Sequence, residues 1–432
     1  MLQRSAIPAV LAVLWLAAAC ASAALGPAVT YEVTVSAPDV AYADTPVTVK
    51  LPAPAWARSA VMKVLASAAD ASPQAAKQQR GARQQPVIVD IVPCDARIRA
   101  GKAEVTWLLT DLPKGTSRTY RLNFTDTERA EPWRTTPAVS THQDRADLFV
   151  GGCLFTSYRF TGAPKPFCQP VYSIGGEPMT RGYPFYHVAG ESTDHPHHRS
   201  LWFTHGDVNG VDFWSESPQA GRIVHRSMES GGSGRALGWL RARHDWLAPD
   251  GKKVCEGVLE LRLHNVHRGR LLDFEYTVFA TEGPVKFGDT KEGTLGLRLA
   301  DSMRVNGGQG HILNSEGQRD NDTWGKRAAW CDYSGPVQGQ PVGITIFDHP
   351  DNLRHPTYWH VRDYGLFAAN PFGVHDFTGQ PGEPGAYVLP QGEKLAFRYR
   401  MYVHDGAPDP AALAALYEQY AYPPRVSVRP GG

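Results

Sequence analysis

From about residue 146 to 403 the chain is dominated by segments of strand character, and this constrains its fold more than any other feature. Leu295, Leu297 and Leu299 alternate with Gly296 and Arg298, the period of two expected of a strand with one buried face. Residues 254–263, 271–280, 342–347, 358–364 and 395–403 are further strand-like runs. Helix is expected only near the end, where Asp409 can cap, Pro410 fits the first turn and 411–420 favours helix. No short-period repeat is evident, so the chain is expected to be mainly β, with a large antiparallel sandwich or barrel and a short C-terminal helix.

Upstream, 28–126 carries shorter strands (31–35, 47–49, 103–109 and 120–124) and is expected to form a small β-sandwich used as a scaffold. Residues 66–85, rich in Ala, Gln, Ser and Arg, form an insertion within it. The stretch 127–145 is expected as a linker, and 146–424 as the large domain that holds the site.

Residues 1–24 have the character of an export signal: Arg4, an apolar run at 7–19 too short to span a membrane comfortably, and Ala21-Ser22-Ala23. The expected location is therefore periplasmic or extracellular. Lipid anchoring at Cys20 is the alternative, disfavoured because Leu16 lies one position too far upstream of it. No later segment is apolar enough to be a membrane helix. With 44 Lys and Arg against 43 Asp and Glu, nothing in the charge balance calls for nucleic acid or an anionic membrane as partner. The cysteines after the signal, Cys94, Cys153, Cys168, Cys255 and Cys331, fit no zinc or redox spacing. Cys153 and Cys168 flank a hairpin and could bridge; buried free thiols are the equal alternative.

Chemistry concentrates in the second part, since of 16 histidines only His142 precedes residue 187. The segment 194–207 holds His195, His197, His198 and His205 with Arg199, Asp194 and Asp207. Imidazole is the side chain with an ordinary pKa nearest neutrality, which suits proton transfer, sugar binding or metal ligation. The residue before a proline favours extended backbone, so His195 and His197 are expected on one face of an extended run with Arg199 and His205. His198 and Trp202 then share the other face. No cofactor is expected in the leading reading. A divalent metal on His195, His197 and His205 is the alternative.

Asp207 and Asp212 flank an Asn209-Gly210 turn signal, with Trp214 beyond; either carboxylate can orient an imidazole or simply serve the turn. A second constellation lies downstream. Asp348-His349-Pro350 echoes Asp194-His195-Pro196, and Tyr358, His360, Arg362 and Tyr364 fall on one face of a strand, a suitable wall for a polyhydroxylated ligand. Between the two, 321–333 mixes aromatics such as Trp324 with cations such as Lys326, groups that stack on a pyranose or bind its oxygens. Glu292, at a strand entrance, is a candidate carboxylate base. The chain has no phosphate-binding Walker loop, Gly-x-Ser-x-Gly elbow or His-Glu-x-x-His helix, and Gly307-Gly308-Gln309-Gly310 opens no helix.

The run 194–203 with 206–210 and Phe213-Trp214 resembles the exported bacterial PmoA-like family. So do Trp324-Gly325-Lys326-Arg327, 330–335, Phe347-Asp348-His349-Pro350 and Asn370-Pro371-Phe372-Gly373, the likeness running over roughly 148–405. Ser200 departs from the glycine of that pattern, at a turn. The methane-oxygenase activity implied by the family label conflicts with a chain that lacks a spanning helix after its signal. The β-rich, aromatic, histidine-bearing character is instead similar to galactose mutarotase-type supersandwiches, shared by sugar epimerases, lyases and some glycosidases. That analogy implies a His acid, His197 or His360, working with Glu292 as base.

The sequence therefore predicts an exported carbohydrate-active enzyme, a hydrolase, lyase or epimerase acting on a sugar or oligosaccharide. His195, His197, His198, Glu292 and His360 would be catalytic. Arg199, Trp202, His205, Asp207, Trp214, Trp324, Lys326, His349, Tyr358 and Arg362 would bind substrate. A metal-dependent hydrolase or lyase and a non-catalytic glycan-binding or envelope protein are the alternatives.

Overall fold

Alternating apolar residues build two stacked-sheet units, described here by a computed structural model over residues 29–65, 88–128 and 137–431. The expected signal at 1–24 and insertion at 66–85 lie outside the described residues. In the smaller unit a five-stranded sheet runs in the order Arg425–Pro430, Thr30–Ala37, Thr116–Thr125, Ser59–Leu65 and Ile88–Val92. A three-stranded sheet of Tyr42–Pro52, Lys102–Leu112 and Cys94–Arg99 shares its core, which includes Val33, Val35, Met62, Trp107 and Leu122. Its edge strand comes from the far end of the chain, Val33 pairing with Val428.

The larger unit stacks two eight-stranded antiparallel sheets, the supersandwich expected from the strand count. One sheet runs Tyr358–Val361, Leu366–Asn370, Gly293–Arg298, Leu201–His205, Phe167–Val171, Cys153–Arg159, Arg145–Val150 and Ala138–Thr141. Ala138–Thr141, inside the segment expected as a linker, is thus an edge strand. The other sheet runs Arg222–Gly232, Leu237–Leu247, Lys253–His264, Arg270–Phe279, Lys394–Asp405, Gln340–Asp348, Trp330–Val337 and His311–Asn314. The helix Pro410–Ala421 starts as its sequence requires, Asp409 accepting from the amide of Ala411 at 3.0 Å.

Strand periodicity sorts side chains between the faces of the first sheet. Leu201, Phe203, Leu295, Leu297, Trp359 and Phe367 point inward with Leu240, Leu259, Phe274 and Tyr276 of the second sheet. Phe203 stacks on Tyr276 at 4.2 Å between centroids. Each such buried side chain contributes about 1.5–3 kcal/mol. Part of the histidine enrichment also belongs to this core. His244 is held between the hydroxyls of Tyr158 at 2.7 Å and Tyr276 at 3.0 Å, and burial pushes it down to about 3.

The five cysteines among the described residues are free, and all but Cys153 are buried. Cys153 and Cys168 are out of register, because Cys168 pairs with Tyr158. Among the described residues no helix is long and apolar enough to cross a membrane.

Candidate functional site

The outer face of the first sheet carries one lateral row of paired residues: His360, Ala368, Gly296, Trp202 and Phe167. Small residues at its centre let larger ones lie across it. A Cβ at Gly296 would sit 2.7 Å from the Trp202 indole, so the ring occupies the space that glycine leaves. Loops cover this face, and every residue of Gly293–Arg298 is buried, where the sequence suggested one buried side only.

At the Arg298 end, the extended run expected for 195–205 forms only at Leu201–His205. His195 has φ +44° and its carbonyl accepts from the His198 amide at 3.0 Å, which makes a turn. The cause is Arg181, whose Nη2 donates to the carbonyls of Asp194 (2.8 Å) and His195 (3.0 Å). The turn gathers three imidazoles. His195 stacks on His198 at 4.7 Å, and His197 meets His198 edge-on at 4.6 Å. Ser200, in place of the glycine of the family pattern, has φ +59°, which glycine adopts without strain. Its hydroxyl is tied to Thr180 at 2.7 Å.

Asp194 organises this end. Arg181 Nη1 donates to its Oδ1, Arg298 Nη2 donates to the same oxygen at 2.6 Å, and His195 Nδ1 donates to Oδ2 at 2.9 Å. Partial burial opposes ionisation, yet Arg298 and Arg181 hold the Asp194 carboxyl well below the usual range. His195 is thus an imidazole oriented by a carboxylate, with Nε2 left for a ligand, and its half-exposed ring lies between His198 and Tyr364 (5.4 Å, 5°). His198 differs. Arg298 Nη1 donates to its Nδ1 at 3.3 Å, so its single proton sits on Nε2, and burial holds the ring neutral.

The opposite wall repeats this device. Trp324 Nε1 donates to His360 Nδ1 at 3.0 Å, again leaving an Nε2–H, and burial, against the pull of Glu292, pushes His360 down to about 3. Phe377 packs on Trp324 (5.6 Å), His360 (6.1 Å) and Tyr358 (5.5 Å). Arg362 lies over both Trp324 (5.5 Å) and Tyr364 (5.7 Å) and joins the two walls. A continuous belt results: Tyr358, Phe377, Trp324, Arg362, Tyr364, His195, His198, Trp202 and Trp214. Glu292 belongs to the His360 end. Its burial is outweighed by hydrogen bonds from Thr290 and Lys291, which hold it below the usual carboxylate range. Glu292 therefore accompanies His360 rather than His197. Roughly 20 Å of strand separates it from Arg298, at about 3.3 Å per residue.

His197 faces Trp214 at 6.3 Å, and burial, with Lys165, pushes it down to about 4. Behind it Glu216 is shared by Arg199 (2.7 Å) and Lys165 (2.6 Å), so Arg199, expected to bind substrate, is engaged in an internal ion pair. Burial, partly offset by Glu216, pushes Lys165 down to about 8.

Besides Arg199, the expected residues His205, Asp207, His349 and Lys326 do not join the belt. His205 is buried at the other end of its strand beside Phe287 and Phe372, its Nε2 donating to the Gly288 carbonyl at 2.8 Å, because position 205 shares the inward face of Leu201 and Phe203. Asp207 caps the turn amide of Gly210 at 2.8 Å, and Asp212 likewise serves the amide of Trp214 at 2.7 Å. His349 packs on Tyr420 of the C-terminal helix at 5.2 Å, in a knot where Asp348 binds His355 at 2.7 Å. Lys326 is exposed and makes no side-chain ion pair among the described residues. His205 is thus not brought to His195 and His197, and among the described residues no three His, Cys, Asp or Glu side chains are grouped to hold a metal.

Arg181, Arg298 and Phe377 were missed as site residues, whereas Tyr364 was expected on the same wall as Tyr358, His360 and Arg362. Only Arg298 left a signal, a charge among alternating leucines. A cavity of about 900 Å³ lies elsewhere, between the two units, lined by Arg97, Glu104, Trp239 and Arg241 among others. It shares no residue with the belt.

No curated protein matches the chain. Among solved structures, a protein in glycosyl hydrolase family 38 from Enterococcus faecalis is similar at 10% identity and a TM-score of 0.41, covering 94% of this chain and 47% of that one. The chain thus spans about half the length of that protein. The Slr1438 protein from Synechocystis sp. PCC 6803 is similar at 11% identity and a TM-score of 0.27, covering 65% of this chain and 100% of that one. Likeness at this level says nothing of activity. Residues 145–418, more than half of the sequence, match one family model, and the chain belongs to that family, the Family of unknown function DUF6807.

Proposed function

We propose that this is an exported carbohydrate-active enzyme whose ring belt holds a sugar or oligosaccharide while His195 and a carboxylate carry out acid–base chemistry on it. The observation that supports the reading is the pairing of one proton-transfer imidazole with two fixed donors. His195 has its Nδ1–H on Asp194 and its Nε2 unoccupied, the arrangement that orients a general base or acid. His198 and His360 each accept at Nδ1 from a group that keeps its proton, so each offers Nε2–H as a donor to a ligand oxygen. Asp194 is the carboxylate that works with His195, while Glu292, at the His360 end of the belt, would meet another part of the ligand. Among the belt's rings, Trp324 and Tyr364 are only partly buried and can meet the apolar part of a sugar, whereas Trp214 is enclosed.

Turnover on a glycan panel, read as sugar release, elimination or epimerisation, tests this. Loss of a general acid–base group costs about 10²–10⁴ in rate. His195→Ala is expected to lose turnover to that degree while glycan binding persists. Equal turnover in both proteins would remove His195 from proton transfer.

A second reading has an observation of its own. Two imidazoles held neutral are what a binding surface requires, so glycan binding without turnover is the outcome that would favour a non-catalytic role.

A further inference from the structure

The charges along the belt do not balance. Arg181 and Arg298, both with fully buried side chains, share the single carboxylate of Asp194. Asp301, the next acid, is taken by the Ser192 amide at 2.6 Å and its hydroxyl at 2.9 Å, and by Arg304 at 3.8 Å. Beside them Arg362 is half-buried, and its guanidinium makes no hydrogen bond or ion pair with any described residue, Asp363 and Glu292 included. Its contacts are the faces of Trp324 and Tyr364. A guanidinium laid on ring faces keeps the N–H groups of its edge available, and that planar fork matches a carboxylate. On either side, His360 and His198 present further Nε2–H donors.

From this excess of donors and positive charge we infer that the sugar accepted by this face carries a carboxylate, a uronate, and that Arg362 receives it. The inference rests on the carbohydrate reading above and adds the acidic class of the ligand. Arg362 acts here in specificity and touches no reacting atom.

Calorimetric binding of trigalacturonate and of its carboxyl-reduced, neutral counterpart, repeated with a glucuronate trisaccharide and its reduced form, tests it. The wild type is expected to bind an acidic member about tenfold or more tightly than its neutral counterpart, with affinity falling as salt rises. Arg362→Gln should abolish that preference, while Arg362→Lys keeps part of it. Equal wild-type affinity for acidic and neutral members, or a preference that survives Arg362→Gln, overturns the uronate inference and leaves the carbohydrate reading standing. Binding of neither class overturns both. The wild-type preference and its salt dependence hold as readouts even if Arg362→Gln disturbs packing.

Discussion

Asp194→Asn probes the centre of the site. The side chains of Arg181 and Arg298 have 0% exposure, whereas that of Asp194 is 42% exposed. Removing one partner of a fully buried pair costs about 3–5 kcal/mol, because the remaining charge stays buried without its counterion. Surface pairs are worth about 0–1 kcal/mol. Asp194 lies between these limits: its carboxylate reaches solvent while both guanidinium groups do not, and asparagine keeps one oxygen as acceptor. The expected loss is about 2 kcal/mol, or about 4 °C in Tm for a unit of this size.

Because the folded-state carboxyl titrates below the ordinary Asp value, its stabilisation is present above about pH 4 and lost as pH falls further. The difference between the two proteins should therefore be flat from about pH 5 to 8 and shrink below about pH 4. Urea unfolding of Asp194→Asn, Arg298→Met and the double variant measures the coupling directly. The double variant should be more stable than additivity predicts by about 1 kcal/mol or more, since Arg298 is no longer left unpaired. Additive losses, or an Asp194→Asn protein within about 0.5 kcal/mol of wild type, would refute the account of Asp194 as the shared counterion.

Three further outcomes follow from the same geometry. Gly296→Ala places a Cβ 2.7 Å from the Trp202 indole; a loss of about 1–3 kcal/mol is expected with a changed near-ultraviolet tryptophan signal, and an unchanged spectrum would count against this packing. Trp324→Phe removes the donor to His360 Nδ1; nitrogen-15 NMR should show a single Nε2–H tautomer for His360 in the wild type and a mixture in the variant, so a mixture in both would break the proposed lock. Burial first of all lowers His197 and His205 to about 4 and His244 and His360 to about 3, so each takes up a proton on unfolding. Stability should be full above about pH 6.5 and fall towards pH 4 by up to about 1.4 kcal/mol per pH unit for each of these groups, with the raised His404 offsetting part; a urea midpoint that is constant from pH 6.5 to 4.5 would contradict it.

Strand alternation placed Tyr358 and His360 opposite Trp359 and Val361, as the structure has them, and Asp409 with Pro410 located the last helix to within a residue. Alternation failed at His195, where the preference of a residue before proline was overridden by Arg181 binding two carbonyls of the turn. The repeated Asp-His-Pro step misled in another way. Asp194-His195-Pro196 lies on the belt, while Asp348-His349-Pro350 braces the C-terminal helix, and the local residues are the same in both.

Mainly β character, the larger sandwich at 146 onward and the gathering of histidines in it follow from the sequence alone, because period and composition are local properties. Which histidines work together was decided only by the tertiary structure. Sheet order sets Tyr358–Val361 two strands from Gly293–Arg298 and three from Leu201–His205, so Arg362 and Tyr364 meet a loop some 170 residues earlier in the chain. Whether each imidazole is a base or a fixed donor was decided there too, since that depends on what lies within 3–3.5 Å of Nδ1: Asp194 for His195, Arg298 for His198, Trp324 for His360. Each contact joins groups whose approach is set by packing, and for His198 and His360 the donor lies far along the chain, so no local pattern encodes it.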